Sequence, residues 1–139
     1  MTSEDGVSKR QYEVLANFRY QLRRFLRYSE QITRRHGLTP LQYQLMLQVK
    51  GFPGRDWATV TELAERLQAK HHGAVALITR CENAGLVERS VSDQDARAVH
   101  VTLTAKGERA LRRLAQLHRD ELLAHRGRFA IADMGELEG

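Results

Sequence analysis

The chain of 139 residues has one cysteine, so it contains neither an internal disulfide nor a thiolate zinc site. Only two prolines and one tryptophan occur. No apolar run approaches the roughly 20 residues that a membrane-spanning helix needs. The first residues, MTSEDGVSKRQYEVL, lack the apolar stretch of a secretory signal, and a cytoplasmic location is expected. No nucleophile–base spacing, phosphate loop or paired-carboxylate pattern stands out, so neither an enzyme nor a cofactor is expected. What the chain has is charge: 22 Lys and Arg against 17 Asp and Glu give a net +5. Arginine dominates the basic set, and its guanidinium makes the bidentate contacts that phosphates and guanine edges favour.

The apolar pattern divides the chain. Residues 8–36 read as one long helix, with Leu15, Phe18, Leu22, Phe25, Leu26 and Ile32 mostly at three-and-four spacing and Gly37 as its stop. Thr39-Pro40 opens a second helix, where Thr39 fits the N-cap and Gln42 the capping-box position. Its stripe is expected to be Leu41, Leu45, Met46 and Val49, and GFPGRDWA after it reads as a loop. Thr59-x-x-Glu62 opens a third helix with Leu63, Ala64 and Leu67 inward. Gln68-Ala69 is a short connection, and KHHGAVALITRCENA is a fourth helix closed by Gly85. The period then changes to two. Residues 86–91 and 99–103 alternate around the polar segment Ser92–Ala98, which predicts a β-hairpin with a charged tip. A last long helix runs from about 105 to 126, and a short helix is expected in the remaining tail.

A capped helix, a tight connection and a second helix form a helix-turn-helix, and a hairpin directly afterwards is its wing. The fold class expected is therefore mainly α with a small β-hairpin. In such a unit the second helix enters the major groove and the wing reaches the neighbouring minor groove. At about 100° per residue, Ala74, Leu77, Ile78 and Cys81 share the core side of the fourth helix. His72, Ala76, Thr79 and Asn83 lie opposite, with His71, Val75 and Glu82 on one border. His71 and His72 point about 100° apart and have no i+4 partner, which argues against a shared metal ion. They read as residues facing DNA, and Cys81 as a buried structural thiol. Thr39, Thr59 and Thr61 stand at helix starts, where N–H groups favour phosphate. His118, Glu121 and His125 share a sector of the last long helix and would need a third ligand such as His36. A solvated or dimer-packing face is the simpler reading, and no metal site is assigned.

Residues 38–107 resemble the MarR family of transcription regulators. The resemblance rests on Leu63-Ala64-Glu65-Arg66-Leu67, Thr79-Arg80 ahead of Glu82, and Gly85-Leu86-Val87-Glu88-Arg89. It continues through Asp93-x-Asp95-x-Arg97 and Val101-x-Leu103-Thr104-x-x-Gly107, its most specific part. It implies a single domain over residues 1–139, with a winged core at 38–107 and dimerisation helices at 8–36 and 105–139. It also implies a homodimeric repressor of double-stranded DNA, released from a palindromic operator by a small-molecule effector. On that basis the DNA-binding set is Lys70, His71, His72, Val75, Thr79, Arg89, Asp95, Arg97, Thr39 and Thr61. Arg97 would enter the minor groove with Asp95 holding its guanidinium, and Arg89 would meet phosphate or pair with Asp93. The effector would lie near the first two helices, lined by Tyr28, Tyr43 or Trp57. Lys70, Val75 and Ala76 depart from the family's polar pattern, which shifts the expected base readout to His72 and Thr79, with Val75 against a thymine methyl. The family's peroxide-sensing branch uses a cysteine near the start of the first helix, where this chain has none. Two other classes stand beside this reading: a metal-responsive regulator using the His118 cluster, and a sequence-indifferent DNA-binding protein.

Overall fold

A computed structural model describes residues 6–91, 98–125 and 134–138. Its elements are α1 (Lys9–Arg35), α2 (Pro40–Lys50), β1 (Trp57–Thr59), α3 (Val60–Arg66), α4 (His71–Asn83), β2 (Val87–Val91), β3 (Val99–Leu103), α5 (Ala105–Ala124) and α6 (Met134–Glu138). The protein is mainly α, as its apolar periods predict. The chain divides into two compact units, Ile32–Gln116 and Met1–Gln31 with Leu117–Gly139.

In the Ile32–Gln116 unit, helix starts follow the threonines. Thr39 accepts from the Gln42 N–H at 3.1 Å while Gln42 returns a bond to the Thr39 N–H at 3.0 Å. Thr59 and Glu62 repeat the arrangement at the head of α3, at 3.2 and 2.9 Å. Each reciprocal pair satisfies two N–H groups that a helix start otherwise leaves open. The core gathers Leu45, Met46 and Val49 of α2, Leu63 of α3, Ile78 and Cys81 of α4, Val87 and Val101 of the hairpin, and Leu114 of α5. Leu41 does not join it. That residue is 52% exposed and Tyr43 is buried instead, so the inward stripe of α2 is rotated from the expected one.

The sheet has three strands, not two. The segment expected to be all loop ends in the first two residues of β1, which pairs antiparallel with β3 in the order β1-β3-β2. Trp57 faces Thr102, Ala58 faces Val101 and Thr59 faces His100. Ala58 is fully buried there, and the pairing satisfies backbone groups beside the core. The hairpin register runs from Val87↔Leu103 to Val91↔Val99.

The Leu103-Thr104-x-x-Gly107 motif has a structural explanation. Thr104 Oγ1 accepts from the Gly107 N–H at 3.0 Å and donates to the Gly85 carbonyl at 2.6 Å. The Thr104 N–H donates to the Leu86 carbonyl at 3.1 Å. Any Cβ at Gly107 would stand 2.0 Å from that same carbonyl oxygen, so α5 starts against the turn only with glycine there. Gly85 itself has φ +74°, the left-handed stop that ends α4.

The other unit combines the described parts of residues 1–31 and 117–139. Arg10 donates to both carboxylate oxygens of Glu136 in α6, at 2.8 and 3.0 Å, and Gln11 Nε2 donates to the Leu137 carbonyl. His118 is buried, with Nε2 2.7 Å from Ser29 Oγ and edge-on contacts to Phe25 and Tyr28. Leu15, Leu26 and Leu123 remain about half exposed. A cavity of about 370 Å³ lies here, lined among others by Phe25, Tyr28, Arg24, Arg27, Leu122 and His125.

Candidate nucleic-acid interface

Helix α4 turns Ala74, Leu77, Ile78 and Cys81 into the core, as its wheel predicts. The face left outside carries His71, His72, Ala76, Arg80 and Asn83, all exposed, with Val75 and Thr79 half-buried at its borders. Small side chains at Gly73 and Ala76 keep this face low. Lys70 is the N-cap and makes no side-chain cap bond, in contrast to Thr39 and Thr59 at the two preceding helices. The first N–H groups of α4 therefore lack the side-chain acceptor that closes α2 and α3. Lys70 and Thr61 are exposed, and with Ala64, Glu65, Gln68, Ala69 and His71 they line a shallow depression between α3 and α4. The connection is tight because Gln68 adopts φ +52°. Its side chain donates to the Glu65 carbonyl at 2.8 Å, which holds the turn.

The hairpin is tied to α4 by Arg89. Its Nη2 donates to Glu82 Oε1 at 2.7 Å and to Thr79 Oγ1 at 2.9 Å, and its Nε donates to Glu82 at 3.1 Å. The Arg89 bonds hold the Glu82 carboxyl below the usual carboxylate range. Glu82 thus fills the acid role that the sequence reading offered to Asp93, which lies outside the described residues. Asp95 and Arg97 lie outside them as well. The Thr79 hydroxyl, expected at base edges, serves as an acceptor within the protein. No local spacing links Glu82 to Arg89, since one sits on a helix and the other on a strand, and so their pairing was not readable.

Thr39 is exposed and occupied in its capping box. Cys81 is fully buried, and burial pushes its thiol up to about 11. It is an inert packing group. Of the three residues expected to line an effector pocket, Tyr28 lines the cavity of the terminal unit. Tyr43 is packed in the winged core, and Trp57 is stacked on His100 in the sheet. His118 is engaged with Ser29, and His125 Nε2 lies 3.3 Å from Glu121. Among the described residues no group of three His, Cys, Asp or Glu side chains converges as a metal site. Nor is any described helix long and apolar enough to cross a membrane.

A short helix, a tight turn, a second helix with a low exposed face and a hairpin tied to its end define a winged helix-turn-helix protein. The sequence profile of the MarR family matches residues 36–98. AbsC, a MarR family transcriptional regulator from Streptomyces coelicolor, is similar at 24% identity over 95% of this chain and 89% of its own, with a TM-score of 0.76. The MarR family transcription regulator SP03579 is similar at 27% identity over 85% and 77%, with a TM-score of 0.72. Sco3205 of Streptomyces coelicolor, solved in complex with DNA, is 23% identical over 82% and 71%, with a TM-score of 0.68. No functionally curated protein matches the chain. These matches support classification in the MarR family of winged-helix transcription regulators.

Proposed function

We propose that the protein is a sequence-specific DNA-binding transcription regulator, a cytoplasmic homodimeric repressor released from a palindromic operator by a small molecule, with no enzymatic activity. The observation that carries this reading is the outer face of α4. His71, His72, Ala76 and Asn83 are exposed above a fully apolar underside, on the helix that the Arg89–Glu82 pair ties to the hairpin. His72 and Val75 read base edges, with Thr79 beside them. Lys70, Thr61, Thr39 and His71 meet phosphate, where the uncapped α4 start adds its own N–H groups. Arg97, steadied by Asp95, enters the minor groove from the wing tip. Arg89 acts from the wing base. The net charge of +5 supplies the sequence-indifferent attraction.

Residues 38–107 form the DNA-binding core of a single domain, and residues 8–36 and 105–139 its dimerisation helices. Exposed Leu15, Leu26 and Leu123 support that assignment, because aliphatic side chains left in water favour a second copy. The cavity beside Tyr28 is the place for the effector.

The test is selection from a random duplex pool, followed by anisotropy on the enriched duplex and a scrambled control across a salt series. The expected result is a preference of at least about a thousandfold for the enriched duplex, with a steep salt slope on both. Equal affinities and slopes would make the protein a sequence-indifferent DNA binder instead.

A further inference from the structure

A four-layer stack joins the segment before β1 to strand β3. The Arg55 guanidinium lies 4.1 Å from the Phe52 ring centre and 3.9 Å from that of Trp57. The His100 ring lies 3.7 Å from that of Trp57 at an interplanar angle of 17°. Two groups this close to one indole cannot share a face, so Arg55 and His100 sandwich Trp57, and Phe52 covers Arg55. The Arg55 guanidinium is also ion-paired to Glu62, the residue that closes the α3 capping box. Burial alone would raise the Glu62 carboxyl, but hydrogen bonds from the Thr59 N–H and Arg55 outweigh it and leave it lowered. The guanidinium of Arg66 lies 5.3 Å from the Phe52 ring centre, and its Nε donates to Gln48 of α2 at 2.9 Å.

These contacts connect two things that the backbone connects weakly. Strand β1 has only three residues, and only three register pairs join it to β3. His100 sits on β3, the strand that β2 pairs with to form the hairpin. Glu62 sits at the head of α3, and Arg55, just before β1, is ion-paired to it. We propose that the Phe52–Arg55–Trp57–His100 stack is a positioning device for the wing, which fixes β3, and through it the DNA-reaching tip, against the start of α3. The Arg89–Glu82 pair holds the other strand of the hairpin to α4, so the wing is braced on both sides. The inference rests on the DNA-binding reading for its consequence but not for its geometry. Trp57 and His100 act through the wing, and no contact of theirs with DNA is needed.

Two measurements test it. The first needs no DNA. In Trp57→Leu and His100→Ala, amide exchange of the β2 and β3 hairpin should quicken about tenfold, while α2 and α4 keep their protection; one ring contact of this kind sustains a change of that size. Unchanged hairpin exchange overturns the brace, and so does exchange that quickens equally in α2 and α4, whatever the protein does with DNA. The second uses the duplex enriched by the wild-type protein. Either single change should weaken binding about tenfold and lower the salt slope by about one, as for a lost wing contact. The double variant should be no weaker than the singles, and His100→Tyr should restore most of the affinity. Multiplying losses or unchanged affinity would refute the positioning role. A wild-type protein that enriches no duplex would refute the sequence-specific DNA-binding reading alone and leave the exchange result to judge the stack.

Discussion

Ile78 and Leu26 are both large aliphatic side chains on amphipathic helices, yet Ile78 is fully buried and Leu26 is 51% exposed. The difference separates the two units. The winged unit closes its core within one chain, from Leu45 on α2 to Leu114 on α5. The terminal unit buries His118 and Val14 but leaves Leu15, Leu26 and Leu123 in the open. Burying one such side chain contributes about 1.5–3 kcal/mol, so the winged unit is held by its closed core although Leu41, Leu47 and Val91 stay exposed, whereas the terminal unit has fewer buried apolar side chains to hold it.

The sharpest way to break that comparison is a matched pair of truncations. Ile78→Ala should cost about 4 kcal/mol of unfolding free energy in denaturant titration, since it opens a cavity in a closed core. Leu26→Ala should cost the isolated chain less than about 0.5 kcal/mol. Its effect should appear instead as weaker self-association in sedimentation. An equal stability loss for both would show that the terminal helices are as self-sufficient as the winged unit. Gly107→Ala comes next, at about 3 kcal/mol or more, because its Cβ would stand 2.0 Å from a backbone oxygen that cannot swing away. A wild-type melting temperature would contradict that packing.

Smaller changes probe the turn between α3 and α4. Gln68→Gly should stabilise by about 1 kcal/mol, since the residue has φ +52° where glycine carries no Cβ penalty. A loss would mean that the Gln68–Glu65 bond outweighs the strain. The smallest effect is acid-dependent. The Glu82 carboxyl is lowered by Arg89, so its contribution is present above the ordinary carboxylate range and is lost as the pH falls through its folded value. Glu82→Gln should therefore be less stable than wild type at pH 7, by a margin that shrinks as the pH falls below the ordinary carboxylate range. A constant difference across that range would remove the ion pair from the explanation.

The helix starts were legible because their chemistry is local. Thr39 with Gln42 and Thr59 with Glu62 lie three residues apart, and the spacing alone predicts the reciprocal bonds. The buried side of α4 was legible for the same reason, since a helical period places Ala74, Leu77, Ile78 and Cys81 together. The hairpin followed from period-two alternation. Strand β1 was not legible: Trp57–Thr59 is too short to show a period, and it is a strand only because Val99–Leu103 lies alongside. On α2, the face that looks inward depends on what packs against it, and so Tyr43 took the place expected for Leu41. His118 of α5 and His125 just after it were expected to share a helical sector, but Ser29 claims the first and Glu121 the second.

The sequence by itself determined the order of elements, the two capping boxes, the core face of α4, and a basic chain with a helix-turn-helix and a wing. These rest on interactions spanning one to four residues, or on periods that a single element imposes. The tertiary structure alone decided the third strand, the Arg89–Glu82–Thr79 tie and the stack from Phe52 to His100. Each of these joins groups on different elements, and their energy exists only once the core has brought those elements within reach.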